Sequence, residues 1–339
     1  MTVTPQTNCT LEQLAAAMRP LDDFVICGHV SPDGDCLGSQ LGLAAALRQL
    51  GKRVTCVLVK DEPIEANLAQ LLPGAADMVP ACEFDGPVGA FVGPVGAFVG
   101  VDVPTRERIG QAACRILDRA QTSFTIDHHA VDERMCDMAY VDPDAASTTL
   151  LIWELADLLG VSRSGDLVTC CYTGLVTDTG RFQYQNTDAH CMRLASQMVE
   201  QGADPAAISR AVFQNRTLAS MQLEAAAISR AEFHEREGFA ISYLTLADFA
   251  RFGAVKSDAE PVINALRSIA GVNVACMLRQ HEDCIRGSLR AKDDTDVSAI
   301  ARSFGGGGHV AAAGFTLHTS MQEAVEQVRA ALQEVVCAR

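Results

Sequence analysis

The sequence predicts an α/β protein: an N-terminal, mostly parallel sheet with flanking helices, then a smaller C-terminal α/β domain. Short apolar runs that end in polar residues alternate with segments of helical period, the mark of a largely parallel sheet with covered faces. From about residue 188 the pattern turns helical, then resumes as a second, shorter set of strands and helices. The 339 residues, 48% of them hydrophobic, suffice for two ordinary domains and two cores. The expected division is residues 1–200, a linker at 201–215 around GADPAAISRAVFQNR, and residues 216–339.

Thr10 with Gln13 makes a capping box for a helix over LEQLAAAMRPL, which leads into the strand FVICGH. A polar loop, SPDGD, precedes a helix with apolar positions Leu37, Leu41, Ala44, Ala45 and Leu47, and the strand KRVTCVLV follows. Further strands close at VGVD and FTID, and helices are expected around TTLLIWELADLLG and SGDLVTCCYTGLV. Ligands of such sheets bind at the carboxyl ends of the strands, where the acids and histidines of this chain lie. DAHCMRLASQMVEQG and RTLASMQLEAAAISRAEFHE read as helices, FAISYLTL as a strand, EPVINALRSIAG as a helix, and VNVACMLRQ with CIRGSLRAK as a strand pair. GPVGAFV occurs twice, at 86–92 and 93–99. One copy suffices for the strand delivering Asp102. The other is expected to bulge as a Gly/Pro surface loop whose deletion leaves the fold intact.

The net charge of −15 is uneven: residues 1–200 hold 13 Lys and Arg against 26 Asp and Glu, and residues 201–339 hold 14 against 16. Such acidity excludes a broad basic groove for long duplex nucleic acid, whose affinity rests on cations at phosphates. A short phosphorylated ligand, with metal ions supplying positive charge, remains compatible. Thirteen cysteines without a CxxC pair, many inside apolar runs, read as buried reduced thiols. The start has no basic stretch followed by an apolar run, and no apolar stretch approaches the roughly 20 residues of a membrane helix, so a cytoplasmic protein without membrane contact is expected.

Four clusters carry chemistry. GHVSPDGD places His29, Asp33 and Asp35 on one loop, although Asp-Gly-Asp is also a turn and Asp35 a candidate helix cap. Asp102 closes an apolar strand and could equally cap the helix after it. Asp127, His128 and His129 end the strand of SFTIDHHA, and Asp178 in GLVTDTGRF reads equally as a turn residue. Each falls where a strand or buried segment meets a loop. Oxygen donors with a minority of imidazole and no thiolate suit Mn²⁺, Mg²⁺ or a similar ion. Several acids cannot share a pocket ionised without cations.

These four motifs, in this order, resemble those of the DHH phosphoesterases, the family named for the motif that stands here as Asp127-His128-His129. RGSLR and FGGGGHVAAAGF resemble the associated substrate-binding domain (DHHA1) of the exonuclease and oligoribonuclease branch, nearest to bifunctional oligoribonucleases that are also 3′-phosphoadenosine 5′-phosphate (pAp) phosphatases. The resemblance spans about residues 10–317. It implies two Mn²⁺ ions, with Mg²⁺ or Co²⁺ as substitutes: His29 and Asp33 on one, Asp35, His128 and Asp178 on the other, Asp102 bridging. His129 would face the substrate phosphate, and Asp127 would orient a histidine or the local loop. Arg286, Arg290, Gly306, Gly307, Gly308 and His309 would bind substrate; in a strand both arginines share one face.

The implied activity is hydrolysis of short oligoribonucleotides to mononucleotides and of pAp to AMP, by a chain for which a homodimer is among the allowed states. A cleft between an acidic half and a less acidic half would admit a few nucleotides. Alternatives are a cyclic- or linear-dinucleotide phosphodiesterase, an inorganic pyrophosphatase, against which RGSLR and GGGGHVAAAG argue, and a non-catalytic nucleotide-binding regulator.

Overall fold

The apolar runs of the first 130 residues become neighbouring strands because each is buried on both faces of one sheet. The computed structural model describes residues 4–85 and 95–337, in two compact units, Met1–Asn215 and Arg216–Arg339. The first unit begins with α1 (Leu11–Met18), β1 (Asp23–Cys27), α2 (Gly34–Gln49), β2 (Arg53–Leu58), α3 (Ala66–Leu71), β3 (Val79–Pro80) and α4 (Ala81–Asp85). It continues with β4 (Val95–Val101), α5 (Arg106–Arg119), β5 (Ala120–Asp127), β6 (Met138–Val141), α6 (Thr148–Leu159), α7 (Asp166–Asp178), α8 (Ala189–Glu200) and α9 (Pro205–Phe213). The Thr10–Gln13 capping box is present at α1. Of the repeated heptapeptide, Val95–Val99 of the second copy belong to β4; the first copy, 86–92, and with it the expected bulge, lies outside the described residues.

The six strands lie in the order β3-β2-β1-β4-β5-β6, and every pairing is parallel. β2 and β4 flank β1, so the chain leaves β1 in opposite directions and opens a crevice at the carboxyl ends of β1 and β4. α1, α2, α6 and α7 contribute to the core on one face, and α5 to the core on the other. α2 is buried over most of its circumference, as a helix enclosed by sheet and helices must be. Its close approach to α7 depends on two glycines. A Cβ on Gly38 would lie 2.5 Å from the Cys170 carbonyl oxygen, and one on Gly174 would lie 2.3 Å from Thr149 and 2.7 Å from Asp35 Oδ1.

Residues 201–215, expected as a linker, contain α9, whose Ile208 is buried in the first core. Pro205 and the Asp204 cap start that helix; the sequence reading missed it because Gly202, Asp204 and Pro205 read together as a loop.

The second unit comprises α10 (Leu218–Ser229), β7 (Glu232–His234), β8 (Phe239–Leu244), α11 (Leu246–Phe252), α12 (Val262–Ser268), β9 (Val274–Gln280), β10 (Ile285–Ala291), α13 (Val297–Ser303), β11 (Gly307–His309), β12 (Ala312–Leu317) and α14 (Met321–Cys337). Its sheet runs β11-β12-β10-β9-β8-β7, parallel at β8–β9 and antiparallel elsewhere. The helix expected to reach AEFHE stops at Ser229, and Glu232–His234 instead pairs as an edge strand with β8. Among the described residues no helix is long and apolar enough to cross a membrane, and the described cysteines are free thiols.

Gly38→Ala would gain about 1 kcal/mol of helix propensity in a neutral site. Here the backbone contact makes a net loss of about 1–3 kcal/mol the expected result. Gly42→Ala, whose Cβ would find Cys171 Sγ at 3.3 Å, is expected to change stability by less than about 1 kcal/mol. Urea unfolding of both variants checks the contrast.

Candidate metal centre

Five polar side chains reach the crevice, each from a different strand end or helix. His29 follows β1, Asp35 lies in the first turn of α2, Asp102 follows β4, His128 follows β5, and Asp178 is the last residue of α7. His29, Asp35 and Asp102 are 7%, 1% and 2% exposed, a degree of burial that charged groups reach only when paired. Asp102 is the hub. Its Oδ2 lies 3.5 Å from His29 Nε2, and its Oδ1 lies 3.6 Å from His128 Nε2 and 3.5 Å from His129 Nδ1. The Asp102 backbone is left-handed, φ 54°, a strained state that Asp tolerates better than most residues.

Ligand atoms gather in three sets, each within 4.8 Å: Asp35, His128 and Asp178; Asp102, His128 and His129; and His29, Cys36 and Asp102. Asp33 stands apart from these sets. Its Oδ1 is 4.0 Å from His29 Nε2 and its side chain 62% exposed, while the same oxygen accepts the backbone N–H groups of Asp35 and Cys36. Asp33, rather than Asp35, therefore caps α2. Cys36 was not foreseen. Its sulfur accepts the His29 N–H, and burial beside Asp102 and Asp33 pushes its thiol far above the ordinary range, which keeps it protonated and a poor donor to a hard cation.

Hydrogen bonds aim the ligand atoms. The His128 Nδ1 lies 3.2 Å from the Ala145 carbonyl; a proton donated there turns the Nε2 lone pair toward Asp102 and Asp178. Asp127 Oδ1 accepts the backbone N–H groups of His128 and His129 and lies 2.7 Å from His129 Nδ1. The N-terminus of α6 supplies three further donations, from Thr148 N, Thr149 N and Thr149 Oγ1, to Asp35, and Thr148 Oγ1 donates to Asp102 Oδ1. Sequence reading missed these threonines; the signal was the Ser-Thr-Thr run opening an apolar helix, with Ser147 as its cap. Gln6 was missed as well: its amide donates to the His129 carbonyl and accepts from Val131 N–H, at 2.8 and 2.7 Å.

Burial and then the Asp102 charge push the Asp35 carboxyl up to about 7. Burial, Asp35, Asp33 and Asp102 raise Asp178 well above the carboxylate range. Burial would also raise Asp102, but His29 and the other two imidazoles outweigh it and hold this carboxyl low. Burial opposes charge on both His128 and His129, yet the surrounding carboxylates win and raise both. The centre thus carries more negative charge than its imidazoles neutralise. With carboxylate and imidazole donors converging and no ionised thiol, it fits hard divalent cations.

In the second unit Arg286, Ser288 and Arg290 alternate along β10 with buried Ile285, Gly287, Leu289 and Ala291, so the two arginines share one face. A Cβ on Gly306 or Gly308 would strike backbone, whereas one on Gly307 would meet nothing within 4 Å. His309 lies in β11 opposite Ala312; its side chain lies outside the described residues.

A parallel α/β sheet with buried acids and imidazoles gathered at its switch point defines a hydrolase of the metal-using phosphoesterase class. Family comparison agrees: the pattern of the DHH family, N-terminal domain, matches residues 23–175, and that of the DHHA1 domain matches residues 237–337. The bifunctional oligoribonuclease and PAP phosphatase NrnA of Thermus thermophilus is 30% identical over 333 residues, 95% of this chain and 92% of its own length. The Bacillus subtilis protein of the same name is 26% identical over 91% of this chain and 93% of its own. The crystal structure of an exopolyphosphatase-related protein from Bacteroides fragilis matches at a TM-score of 0.90 and 26% identity, covering 97% of this chain and 96% of that one. The chain belongs to the DHH family and carries its DHHA1 domain.

The raised groups fix a sign for stability. Asp35 binds its proton up to about pH 7 in the fold, against about 4 when unfolded. It therefore stabilises the metal-free fold at low pH and ceases to as pH rises through 7. Asp178, His128 and His129 shift the same way. In chelator, the melting temperature is expected to fall between pH 5.5 and 8 through this centre, and saturating Mn²⁺ to restore it most at pH 8. Scanning calorimetry at both pH values, with Asp35→Asn as reference, reads the difference.

Proposed function

We propose that the chain cleaves short oligoribonucleotides to mononucleotides and removes the 3′-phosphate of pAp. The Asp102-centred cluster is the observation that carries this reading, and the activities named for the Thermus and Bacillus relatives supply its substrate class. His29, Asp33 and Asp102 would hold one Mn²⁺, and Asp35, His128, Asp178 and Asp102 a second. Such a pair supplies an acidified water and neutralises phosphoryl oxygens.

The chain's own residues do the rest. Thr148 and Thr149 fix the Asp35 and Asp102 carboxylates, so that their orientation is set before substrate arrives. His129, held through Nδ1 by Asp127 and through its carbonyl by Gln6, would hold a proton toward a phosphoryl oxygen. Water adds to phosphorus, the ester oxygen leaves with a proton as an alcohol, and no covalent enzyme intermediate is needed. Arg286, Arg290, Gly307 and His309 of the DHHA1 domain would hold the nucleotide; the open space over Gly307 leaves room for a phosphate against its backbone N–H.

Asp102→Asn is expected to lower kcat on pAp by at least about 10²-fold with circular dichroism unchanged. Hydrolysis of 5′-labelled RNA of two to about ten nucleotides, beside pAp and pyrophosphate, tests the substrate class. Metal-dependent turnover that falls with length supports it, and pyrophosphate as the dominant substrate overturns it.

A further inference from the structure

The turn after α7 holds its backbone in a state that few residues adopt. Gly180, Arg181 and Phe182 are left-handed in succession, with φ of 54°, 64° and 61°. Such residues ordinarily occur singly and are mostly glycine, so the run is strained and persists only because its surroundings over-determine it. The Arg181 N–H donates to the Val176 carbonyl at 2.8 Å, and the Phe182 N–H donates to Oγ1 of the buried Thr179 at 3.2 Å. The Gln183 and Tyr184 N–H groups share the Thr179 carbonyl. A Cβ on Gly180 would lie 2.2 Å from the Tyr184 ring, and the Arg181 guanidinium lies over the Phe213 ring, 5.0 Å from its centre.

This turn returns Asn186 to the end of α7. Its Nδ2 donates to the Asp178 carbonyl at 3.2 Å and to the Ala146 carbonyl at 2.9 Å, which uses both amide protons. Oδ1 is enclosed without a partner, a state that native proteins rarely keep. Turning the amide over would set that oxygen against two carbonyl oxygens, so the two donations fix its orientation. The Ala146 end of this bridge lies in the segment that aims the other donors. The Ala145 carbonyl faces His128 Nδ1, Thr148 and Thr149 hold Asp35, and Thr148 Oγ1 holds Asp102. Asp35, His128 and Asp178 form one convergent set of ligand atoms, and Asn186 bonds the main chain of Asp178 to the segment that orients the other two.

We infer that Asn186 is a positioning residue for the cation position formed by Asp35, His128 and Asp178. By bridging the Asp178 and Ala146 carbonyls it sets the distance between the donor at the end of α7 and those held by residues 145–149, and the strained turn serves to place it. The inference rests on the two-cation reading above and concerns only the arrangement of one of the two positions.

The test is calorimetric titration of the chelator-stripped full chain with Mn²⁺. Wild type is expected to bind two ions. Asn186→Ala is expected to weaken one of them at least about tenfold and to leave the other within about threefold. A role in folding alone would lower the urea midpoint and leave both affinities as in wild type. Turnover of pAp should show the same selectivity: in limiting Mn²⁺ the variant is slower, saturating Mn²⁺ restores kcat to within about threefold, and KM for pAp stays within about threefold. Should circular dichroism show Asn186→Ala unfolded, Asn186→Ser, which keeps one donor, takes its place with an expected loss of at least about threefold. Unchanged affinities, both affinities weakened alike, or two variants that do not fold each overturn the positioning role and leave the proposed function standing. A wild-type chain that binds fewer than two ions overturns the two-cation reading and this inference with it. Selective weakening in a protein that does not hydrolyse pAp overturns the proposed substrate alone.

Discussion

Three carboxylates in one buried space cannot all be ionised on their own, and much of the first unit is arranged around that fact. Asp35 and Asp178 come within reach of His128, which Asp102 shares, and Asp102 also reaches His29 and His129. Asp102 wins the competition for positive charge, while Asp35 is pushed up to about 7 and burial with the neighbouring carboxylates raises Asp178 well above the carboxylate range. A fold that keeps such groups dry without a compensating cation gives up stability, as strained and unpaired groups at functional sites generally do. The same deficit of positive charge is what makes the centre fit divalent ions.

The scaffold supplies this placement with ordinary means. The order of the parallel strands opens the crevice between β1 and β4, and the loops after these strands deliver His29 and Asp102. The glycines between α2 and α7 let Asp178 approach Asp35. The N-terminus of α6 then presents its backbone N–H groups to Asp35, where the helix dipole favours an anion. The segment before α1 closes the far side. Gln6, Thr7 and Asn8 bond through their side chains to His129, Val131, Val141, Ala139 and Asp137, which covers the β6 edge and ties down the loop carrying the histidines.

The sequence made the strands legible because a buried parallel strand is a continuous apolar run, and it made the acids legible because four polar clusters fall where such buried segments meet loops, although each alone also fits a cap or a turn. Hence His29, Asp35, Asp102, His128 and Asp178 stand out in the chain and lie together in the structure. Thr148, Thr149 and Gln6 did not stand out, because they act through hydrogen bonds to residues 46 to 125 positions away, and neither period nor composition records such contacts. Asp33 and Asp35 illustrate the limit: both fit a helix cap by type, and only the backbone of α2 shows that Asp33 takes the cap. Short edge strands such as β7 and β11 were missed for a related reason, since three residues carry too little pattern to outweigh a neighbouring helix.

The proposed sharing of Asp102 between two cation positions is the point on which site and function both turn. It is tested most directly by counting metal: the chain is stripped with chelator, equilibrated with Mn²⁺, freed of unbound ion by gel filtration and analysed by mass spectrometry of the metal. Two ions per wild-type chain, and one per His29→Ala chain, are the expected result. A wild-type chain that keeps one ion or none, or a His29→Ala chain that keeps both, would contradict it.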